Sequence, residues 1–446
     1  MDKKTISEFL SEEYKDFSLY TIENRAIPSI IDGFKPTQRK IIHVCNDIWR
    51  NGSEKPLKVF QLAGKIASDA FYHHGNQSLE NAIITMAQRF KNNMSLLEEI
   101  GQFGSLRSPE AGASRYIGTK LNKNFRLLYK DFELLNYKEE EGVEIEPSFF
   151  LPIVPTILIN GSSGIAVGFA SNILNRNPVD IIVACESILK GKKISDIKPF
   201  IPSFNGEYIR DKDNHKRWII RGKYTIVNTT TIKISELPPS MTYEKYENIL
   251  DFLVESKLIS SYDDNCKDNV DYTIKFNRGY LQSIDEDKII KLLKLEETST
   301  EIFTTLDETG KLKIFESDKE IIEYFVQFRL GFYSKRKDYL LDKIKYELKV
   351  LSNRGKFIKA ILDNKLEIKN RPKSEIIIDI EKLKLDKIDE SYDYLLRMPI
   401  YSMTKEMFDK LKEDYSTKKS EMEEIMKLDP KDMYLLDLSE LKKKLK

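Results

Sequence analysis

The residues best suited to chemistry in this chain are an arginine and a tyrosine at the end of one short segment. Residues 104–114 are rich in Gly, Ser, Ala and Pro, and Arg115 and Tyr116 follow directly. A phenol titrates near about 10, so it attacks well only when a base, a metal or a fixed cation stabilises the phenolate. Arg115 is always charged and could stabilise that phenolate or a neighbouring phosphate. These residues alone also fit a loop with a partly buried tyrosine, followed by a predicted helix over 117–128.

A second segment places basic residues at the start of a helix. Pro and Thr at 36–37 open a predicted helix, whose apolar face comprises Ile41, Ile42, Cys45 and Ile48. Lys35, Arg39 and Lys40 cluster at its N-terminus, where free backbone N–H groups already favour an anion. The pattern predicts a phosphate contact.

Residues 56–93 are typical of a helix-turn-helix. One amphipathic helix is predicted over 57–70 and a second over 79–90, where apolar residues recur at steps of three and four. The second helix of such a motif enters the DNA major groove. The intervening turn carries His73 and His74, but no Cys, Asp or third His stands at metal-ligand spacing. A metal site is therefore disfavoured.

Residues 151–170 predict a β-branched strand that runs into a Gly/Ser turn presenting Ile165 among small residues. The turn lacks the Gly-Lys-Ser/Thr of a nucleotide-binding loop. A buried strand with a close-packed turn is the purely structural alternative. Further on, residues 180–310 read as mixed α/β, with strands predicted at 218–227, 229–235 and 270–276 and a helix at 243–257.

The C-terminal part reads as a helical arm. Apolar residues form a heptad seam at Leu330, Leu341, Ile344, Leu348 and Leu351. A returning helix offers comparable residues at Phe408, Leu411, Tyr415, Met422 and Ile425. The two stretches predict an antiparallel pair capped by a small globule, and such an arm predicts a two-fold dimer.

Composition bounds the class of protein. The chain has 446 residues, 41% hydrophobic and 11% aromatic, which suits about three globular domains. Its three cysteines are far apart, which fits a reducing cytoplasm, and no apolar run approaches the ~20 residues of a membrane span. We expect a soluble cytoplasmic protein without a membrane partner.

Charge is unevenly distributed although the net charge is only +1. Residues 25–130 hold 16 Lys/Arg against 8 Asp/Glu, whereas residues 131–150 hold one Lys against seven acids and residues 1–24 hold three Lys against six. A basic segment between acidic ones is consistent with a local phosphate-binding surface, although a solvated face fits equally well.

Three blocks, in order, resemble the breakage–reunion subunit of type IIA DNA topoisomerases. They are the Arg-Ala-Ile-Pro and Asp-Gly-Phe-Lys-Pro-Thr-Gln-Arg-Lys run at 25–40, the Gly-Gln-Phe-Gly-Ser and Ala-Ser-Arg-Tyr-Ile loop at 101–117, and Asn-Gly-Ser-Ser-Gly-Ile-Ala-Val-Gly at 160–168. The Tyr-His-His-Gly turn at 72–75 is closer to the eukaryotic and T-even phage branch than to bacterial gyrase. Asn76 departs from the family, which usually has an acid there.

The resemblance assigns roles to individual residues. It implies that Tyr116 attacks a DNA phosphodiester and holds the broken end as a phosphotyrosine, with Arg115 and Arg25 as its catalytic partners. Ile165 would be a wedge that kinks the duplex. The DNA-binding residues it implies are Lys35, Gln38, Arg39, Lys40, His73, His74 and Ile165.

The same resemblance implies an α+β, multidomain architecture. We expect an N-terminal helical arm (1–24), a winged-helix (helix-turn-helix) DNA-cleavage domain (25–150), a mixed α/β tower domain (151–315), and a long antiparallel coiled-coil arm with a helical dimerisation globule, the exit gate (316–446). The function implied is the DNA-cleaving subunit of an ATP-dependent type II topoisomerase, which makes a transient double-strand break, passes a second duplex and religates.

Cofactors and partners follow from the same resemblance. The chain shows no nucleotide loop and no acidic metal block, so we expect Mg²⁺ and ATP to be held by a separate large subunit carrying ATPase and TOPRIM parts. The expected partners are double-stranded DNA, a second copy of the chain and that subunit. The alternative is a non-catalytic dimeric DNA-binding clamp. A tyrosine recombinase or relaxase is disfavoured because neither His-x-x-Arg nor a His-hydrophobe-His motif occurs.

Overall fold

The computed structural model describes residues 5–50, 52, 55–267 and 269–445. The chain divides into two compact units, one comprising the chain up to Arg329 together with the segment from Asp437, and the other comprising Leu330–Leu436. All candidate site residues lie in the first unit. No helix in the described part of the chain is both long and apolar enough to cross a membrane.

The chain begins with the predicted N-terminal helix, which is interrupted once. Helices α1 (Ile6–Ser11) and α2 (Glu13–Thr21) are followed by a π-helical turn, Ile22–Ala26. Residues 1–4 of the predicted N-terminal arm lie outside the described residues. The π-helical turn buries Ile22 and Ala26 while leaving Arg25 exposed.

Three helices then form the support for the turn that carries His73 and His74. They are α3 (Pro36–Ile48), α4 (Val59–Asp69) and α5 (Asn76–Ala87), and a two-residue strand, β1 (Leu57–Lys58), precedes α4. The helices pack on one another through apolar residues, among them Ile41, Ile42, Cys45, Leu62, Ile66, Leu79 and Ile83. The predicted helix pair is confirmed, but α5 ends at Ala87 rather than at residue 90.

The helix predicted over 117–128 is wrong in its first half. Residues Gly118–Thr119 form strand β2, which pairs with β1, and helix α6 spans only Lys123–Leu128. Pairing of Gly118 with the distant residues Lys58 and Ile100 keeps this stretch extended. The Asn122 side chain then accepts a hydrogen bond from Asn124 N at 3.0 Å, so the helix begins there.

Four short strands surround a core of aromatic side chains. They are β3 (Tyr129–Lys130), β4 (Tyr137–Glu140), β5 (Val143–Pro147) and β6 (Leu151–Pro152), with β3 pairing β6 and β4 pairing β5. Their core is a cluster of stacked and edge-on rings contributed by Phe34, Phe125, Tyr129, Phe132 and Phe150.

The strand predicted before Ile165 is largely a helix. Residues Thr156–Asn160 form the short buried helix α7, and only then does the hairpin of β7 (Ser162–Ile165) and β8 (Ala170–Ile173) follow. A short continuous apolar run does not distinguish a buried strand from a buried helix. At the start of α7 the Thr156 hydroxyl donates to the Asp32 carbonyl at 2.8 Å.

The remainder of the first unit is mixed α/β, as predicted. After α8 (Pro178–Leu189), strands β9 (Glu207–Arg210), β10 (Arg217–Arg221) and β15 (Glu296–Thr300) form a sheet in the order β15-β10-β9. A second sheet has the order β11-β12-β14-β13 and consists of β11 (Lys223–Asn228), β12 (Thr231–Glu236), β13 (Ser261–Asp264) and β14 (Tyr272–Lys275). The single strand predicted over 218–227 is therefore two strands, which belong to different sheets.

Helices cover the second sheet. They are α9 (Tyr243–Glu255), α10 (Tyr280–Ser283) and α11 (Glu286–Leu292). Their shared core includes Ile232, Ile234, Tyr246, Leu250, Tyr272, Ile274 and Ile290. A last hairpin, β16 (Phe303–Leu306) with β17 (Leu312–Phe315), leads to the long helix α12 (Asp318–Leu362).

The second unit contains the predicted antiparallel helices. After α12 come α13 (Lys373–Lys382), α14 (Asp393–Leu396), a 3₁₀ turn (Ile400–Ser402), α15 (Lys405–Lys427) and α16 (Pro430–Lys444), whose part from Asp437 onward belongs to the first unit. Lys337 bonds the Leu428 carbonyl at 2.7 Å and Lys418 pairs with Glu347 at 3.0 Å. The residue number of the partner falls from 428 to 418 as the residue number along α12 rises from 337 to 347, so the two helices run antiparallel.

Candidate active site

The loop around Tyr116 fixes the tyrosine backbone and leaves its phenol in solvent. Tyr116 is 72% exposed, yet its amide donates to the Ala113 carbonyl at 2.8 Å. Lys58 Nζ donates to the Tyr116 carbonyl at 2.6 Å, and Val59 N donates to the Ile117 carbonyl at 3.1 Å. A side chain held in this way can meet a large substrate without first ordering its own backbone.

Arg115 supplies the positive charge next to this phenol. Its side chain is exposed, and its Cζ lies 5.5 Å from the centre of the Tyr116 ring. A guanidinium at this distance stabilises negative charge on or near the ring and keeps donors free for a phosphate. The pairing expected from the sequence is therefore present.

The beginning of the loop is held by a residue that the sequence motifs did not indicate. Gln88, just after α5, is buried, and its Nε2 donates to the Phe103 carbonyl at 2.8 Å and the Pro109 carbonyl at 3.2 Å. Gly104 has φ +84°, and a Cβ there would overlap the Pro109 backbone, so only glycine suits the turn. Nothing in the local sequence signals that Gln88 reaches this loop.

A second group of side chains joins Arg25 to His74 through Tyr20, another residue that the sequence did not single out. The Tyr20 hydroxyl and His74 Nε2 are hydrogen bonded at 3.2 Å, and the Arg25 Cζ lies 5.4 Å from the centre of the Tyr20 ring. Tyr72 adds an edge-on ring contact to His74, with centroids 5.2 Å apart. The imidazole is thus oriented from two sides.

The electrostatics of this group favour a neutral imidazole. Burial lowers the pKa of His74 below its usual 6.5, and the charge of Arg25 and the neighbouring His73 lower it further. At pH 7 the neutral form of the His74 imidazole therefore predominates. His73 points elsewhere and bonds Glu140 through Nε2 at 2.8 Å.

The hairpin that carries Ile165 lies against the same region. Ile165 is 87% exposed, more than any other large apolar side chain among the described residues. Next to it, Lys35 Nζ donates to the Ser163 carbonyl at 2.7 Å, and a Cβ on Gly164 would overlap the Ala26 carbonyl. Burial lowers the pKa of Lys35 from 10.5. The structure therefore brings Lys35, Ile165 and the turn containing Arg25 together.

The other basic residues of this segment have partners within the fold. Arg39 is buried, and its Nε donates to Asp32 Oδ2 at 2.7 Å, so the guanidinium has a carboxylate partner within the fold, and its phosphate contact stays a prediction. Lys40 is half-buried and pairs with Glu146 at 2.9 Å. Gln38 accepts the Lys35 amide at 2.9 Å and thereby caps α3.

The site residues fall into two groups on one unit. Arg115 and Tyr116 form the first, and Arg25, His74, Lys35 and Ile165 form the second. Within the described part of the chain, no hydrogen bond, ion pair or ring contact connects Arg115 or Tyr116 with Arg25 or His74.

Comparison with known proteins identifies the family. A model of the family described as the A subunit of DNA gyrase/topoisomerase IV matches residues 25–442. The chain belongs to this family. The match covers both groups of site residues and both units of the fold.

Named relatives of this topoisomerase family agree over nearly the whole chain. The DNA topoisomerase medium subunit of Enterobacteria phage T4 is 34% identical over 448 residues, 99% of this chain and 100% of that subunit. The mitochondrial DNA topoisomerase 2 of Dictyostelium discoideum is also 34% identical, over 98% of this chain but only 35% of its own length. The chain thus spans about a third of such longer relatives.

The fold agrees with a solved topoisomerase structure. The DNA-binding, cleavage and re-ligation domain of Plasmodium falciparum topoisomerase II matches with a TM-score of 0.87 and 32% sequence identity, over 98% of this chain and 64% of that chain. The α+β architecture of this family is therefore present here.

Across the described ranges, no group of three or more His, Cys, Asp or Glu side chains could hold a metal ion. Asp211 accepts from Arg217 at 2.7 Å, and Asp263 from Lys275 at 3.1 Å, both near the surface. These acidic residues serve local structure.

Proposed function

We propose that this chain is the DNA-cleaving subunit of an ATP-dependent type II DNA topoisomerase. The observation that carries the proposal is the exposed Tyr116 phenol on a fixed backbone, next to the exposed Arg115, at the position that the family motif requires. Membership of the family and full-length similarity to the phage medium subunit support it.

In the proposed reaction, the Tyr116 hydroxyl oxygen attacks a backbone phosphorus of DNA. A new phosphorus–oxygen bond to tyrosine forms, the bond to one deoxyribose oxygen breaks, and that oxygen leaves as a hydroxyl after taking up a proton. The phenol proton is lost in the same step. Religation is the reverse attack by the deoxyribose hydroxyl, so no external energy is needed to reseal the strand.

The cationic residues would act on the transferring phosphoryl group. Arg115 is already next to the phenol, and Arg25 is exposed and free to turn from the Tyr20 ring to a phosphate. Preorganised cations stabilise charge that develops in the transition state. Because no contact joins the two groups within the described chain, we propose that bound DNA, or a second copy, brings them to one phosphate.

His74 and Ile165 would hold and bend the duplex. Neutral His74 has one ring nitrogen engaged by Tyr20, which leaves the other able to donate to a phosphate oxygen. Ile165 projects into solvent at the hairpin end and could insert between base pairs, as apolar wedges do in other DNA-bending proteins. Lys35, beside it, is placed for the adjacent backbone.

The finer architecture also belongs to this proposal. We assign a winged-helix cleavage domain to 25–150, a tower to 151–315, and a coiled-coil arm with a dimerisation globule to 316–446, preceded by the arm at 1–24. The assembly would contain two copies of this chain, double-stranded DNA, and a large subunit that supplies Mg²⁺ and ATP through its TOPRIM and ATPase parts. Mg²⁺ would assist cleavage from that partner.

The test is denaturant trapping of covalent protein–DNA adducts on supercoiled plasmid. The chain is assayed with the large subunit, Mg²⁺ and ATP, as wild type, as Tyr116→Phe and as Tyr346→Phe, a matched control because Tyr346 is also exposed. We expect adducts with wild type and Tyr346→Phe and none with Tyr116→Phe.

Two outcomes would contradict the proposal. Adducts that persist in Tyr116→Phe would show that another residue is the nucleophile. DNA binding without adducts in any variant would favour the alternative, a non-catalytic dimeric DNA-binding clamp.

A further inference from the structure

A buried arginine connects the tyrosine loop to the second sheet. Arg107 lies in the same loop as Tyr116 but is only 7% exposed. Its Nη1 donates to the Pro238 carbonyl at 2.7 Å and the Met241 carbonyl at 2.9 Å, and its Nη2 donates to Glu236 Oε1 and the Leu237 carbonyl, each at 2.5 Å. One guanidinium thus satisfies four acceptors of a single segment.

The receiving segment is rigid and built for this side chain. Glu236 ends β12, is buried, and uses its second oxygen to accept the Asn205 amide at 2.9 Å. Two consecutive prolines at 238–239 restrict the backbone that presents the carbonyls. The contact is reciprocal, because the Tyr243 amide at the start of α9 donates to the Arg107 carbonyl at 3.1 Å.

Backbone hydrogen bonds close the turn around Arg107. The contacts of Arg107 with residues 236–241, here called the anchor, therefore fix the position of a defined segment of the chain. Ser105 and Ser108 exchange backbone hydrogen bonds of 2.8 and 3.2 Å across Arg107. Gln88 holds the two ends of this turn through Phe103 and Pro109, as described above. The loop is therefore fixed from α5 on one side and from the second sheet on the other.

This geometry argues against two simpler roles for Arg107. Its positive charge is compensated by Glu236 and is out of solvent, so it does not serve as a phosphate contact. A buried ion pair is also weak evidence of a stabilising role, because the cost of desolvation offsets much of the attraction. What a fork of four directed bonds provides is geometric specificity.

We propose that Arg107, through Glu236 and the 237–241 carbonyls, is a positioning residue that sets the location of the Tyr116 loop relative to the second sheet. The inference rests on the proposed function of Tyr116 as the nucleophile. The Arg107 contacts therefore couple the placement of the Tyr116 phenol to the position of the second sheet. Arg107 touches no reacting atom.

The test separates loop position from DNA binding and from activity. Arg107→Lys keeps the positive charge but cannot make the four directed hydrogen bonds of the guanidinium, and Glu236→Gln removes the charge from the acceptor. Arg126→Lys is the matched control, because Arg126 also donates to backbone carbonyls, at 3.4 and 3.5 Å. Amide hydrogen exchange of residues 102–116 is measured in the whole chain. Adduct formation is measured in a single turnover at saturating DNA with the complete complex, and DNA affinity is measured separately.

For Arg107→Lys we expect faster exchange confined to the loop, adduct formation slowed on the order of tenfold to a hundredfold, and DNA affinity within about threefold of wild type, since small misplacement of a reacting group is costly. Glu236→Gln should show the same pattern more weakly, and Arg126→Lys none of it. Unchanged loop exchange, or affinity falling in step with adduct formation, would overturn the inference. Faster loop exchange in a complex whose wild type forms no adducts would leave the anchor standing and refute the proposed function instead.

Discussion

Replacing Arg39 with methionine tests directly whether this arginine binds DNA or supports the fold. Asp32 is fully buried and accepts from Arg39 Nε at 2.7 Å and Nη2 at 3.0 Å. It also accepts the Phe34 and Phe150 amides, each at 3.1 Å, so one carboxylate ties the 29–34 loop to α3 and to the aromatic core. Burial lowers the pKa of Arg39, but its charge interaction and hydrogen bonds with Asp32 raise it overall, so the guanidinium stays charged.

The expected cost follows from what Arg39→Met leaves behind. Two hydrogen bonds to a charged group are lost, at about 1.5–3 kcal/mol each, and the carboxylate stays buried without a cation. Breaking one side of a buried ion pair typically costs about 3–5 kcal/mol, and we expect a loss of unfolding free energy in this range. Asp32→Asn combined with Arg39→Met should recover more than half of it, because asparagine still accepts an amide and no unpaired charge remains.

Urea unfolding followed by tryptophan fluorescence measures this. The chain has two tryptophans, and Trp49 is buried directly after α3. In a Trp218→Phe background, Trp49 therefore reports unfolding around α3. Arg89→Met is the control, because the Arg89 side chain is 68% exposed and its loss should cost no more than about 0.5 kcal/mol.

The reasoning would be refuted if Arg39→Met unfolded like the Arg89→Met control. The phosphate-contact hypothesis would replace it if, in addition, the slope of log K for DNA binding against log salt became less negative by about 0.9, the change expected for one lost phosphate contact.

Two further predictions concern the DNA-binding residues. The pKa of His74 in the free protein lies below 6.5, and a bound phosphate would raise that pKa. DNA binding should therefore take up a proton, and the affinity should increase as pH falls from about 7.5 towards the free-state pKa. Titration of DNA affinity against pH should show this increase for wild type and His215→Gln but not for His74→Gln. Ile165→Ala should leave the urea midpoint of unfolding unchanged, because the side chain is 87% exposed. The same change should reduce the bending of a short duplex, measured by fluorescence energy transfer between its ends. The control Ile378→Ala, on an exposed helix face, should change neither the urea midpoint nor the bend.

The sequence by itself was sufficient for the features that depend on neighbouring residues. Apolar spacing located α3, α4, α5 and the antiparallel arm, because a helix that packs on one face repeats its pattern within a few turns. The family motifs singled out Arg115 and Tyr116 as candidate catalytic residues. Both side chains are exposed, and an exposed side chain needs no distant partner to be available to a substrate. The same holds for Ile165, whose small neighbours predicted its presentation.

Only the tertiary structure decided which polar groups are free and which are committed. Arg39 and Lys35 look equivalent in the sequence, but Arg39 is buried against Asp32 while Lys35 reaches the Ile165 hairpin. Arg107 meets Glu236 across 129 positions, and Tyr20 meets His74 across 54. A charged or polar side chain is defined by its partner, and burial makes that partner obligatory. Partners so far apart in the chain leave no periodicity, so folding alone brings them together.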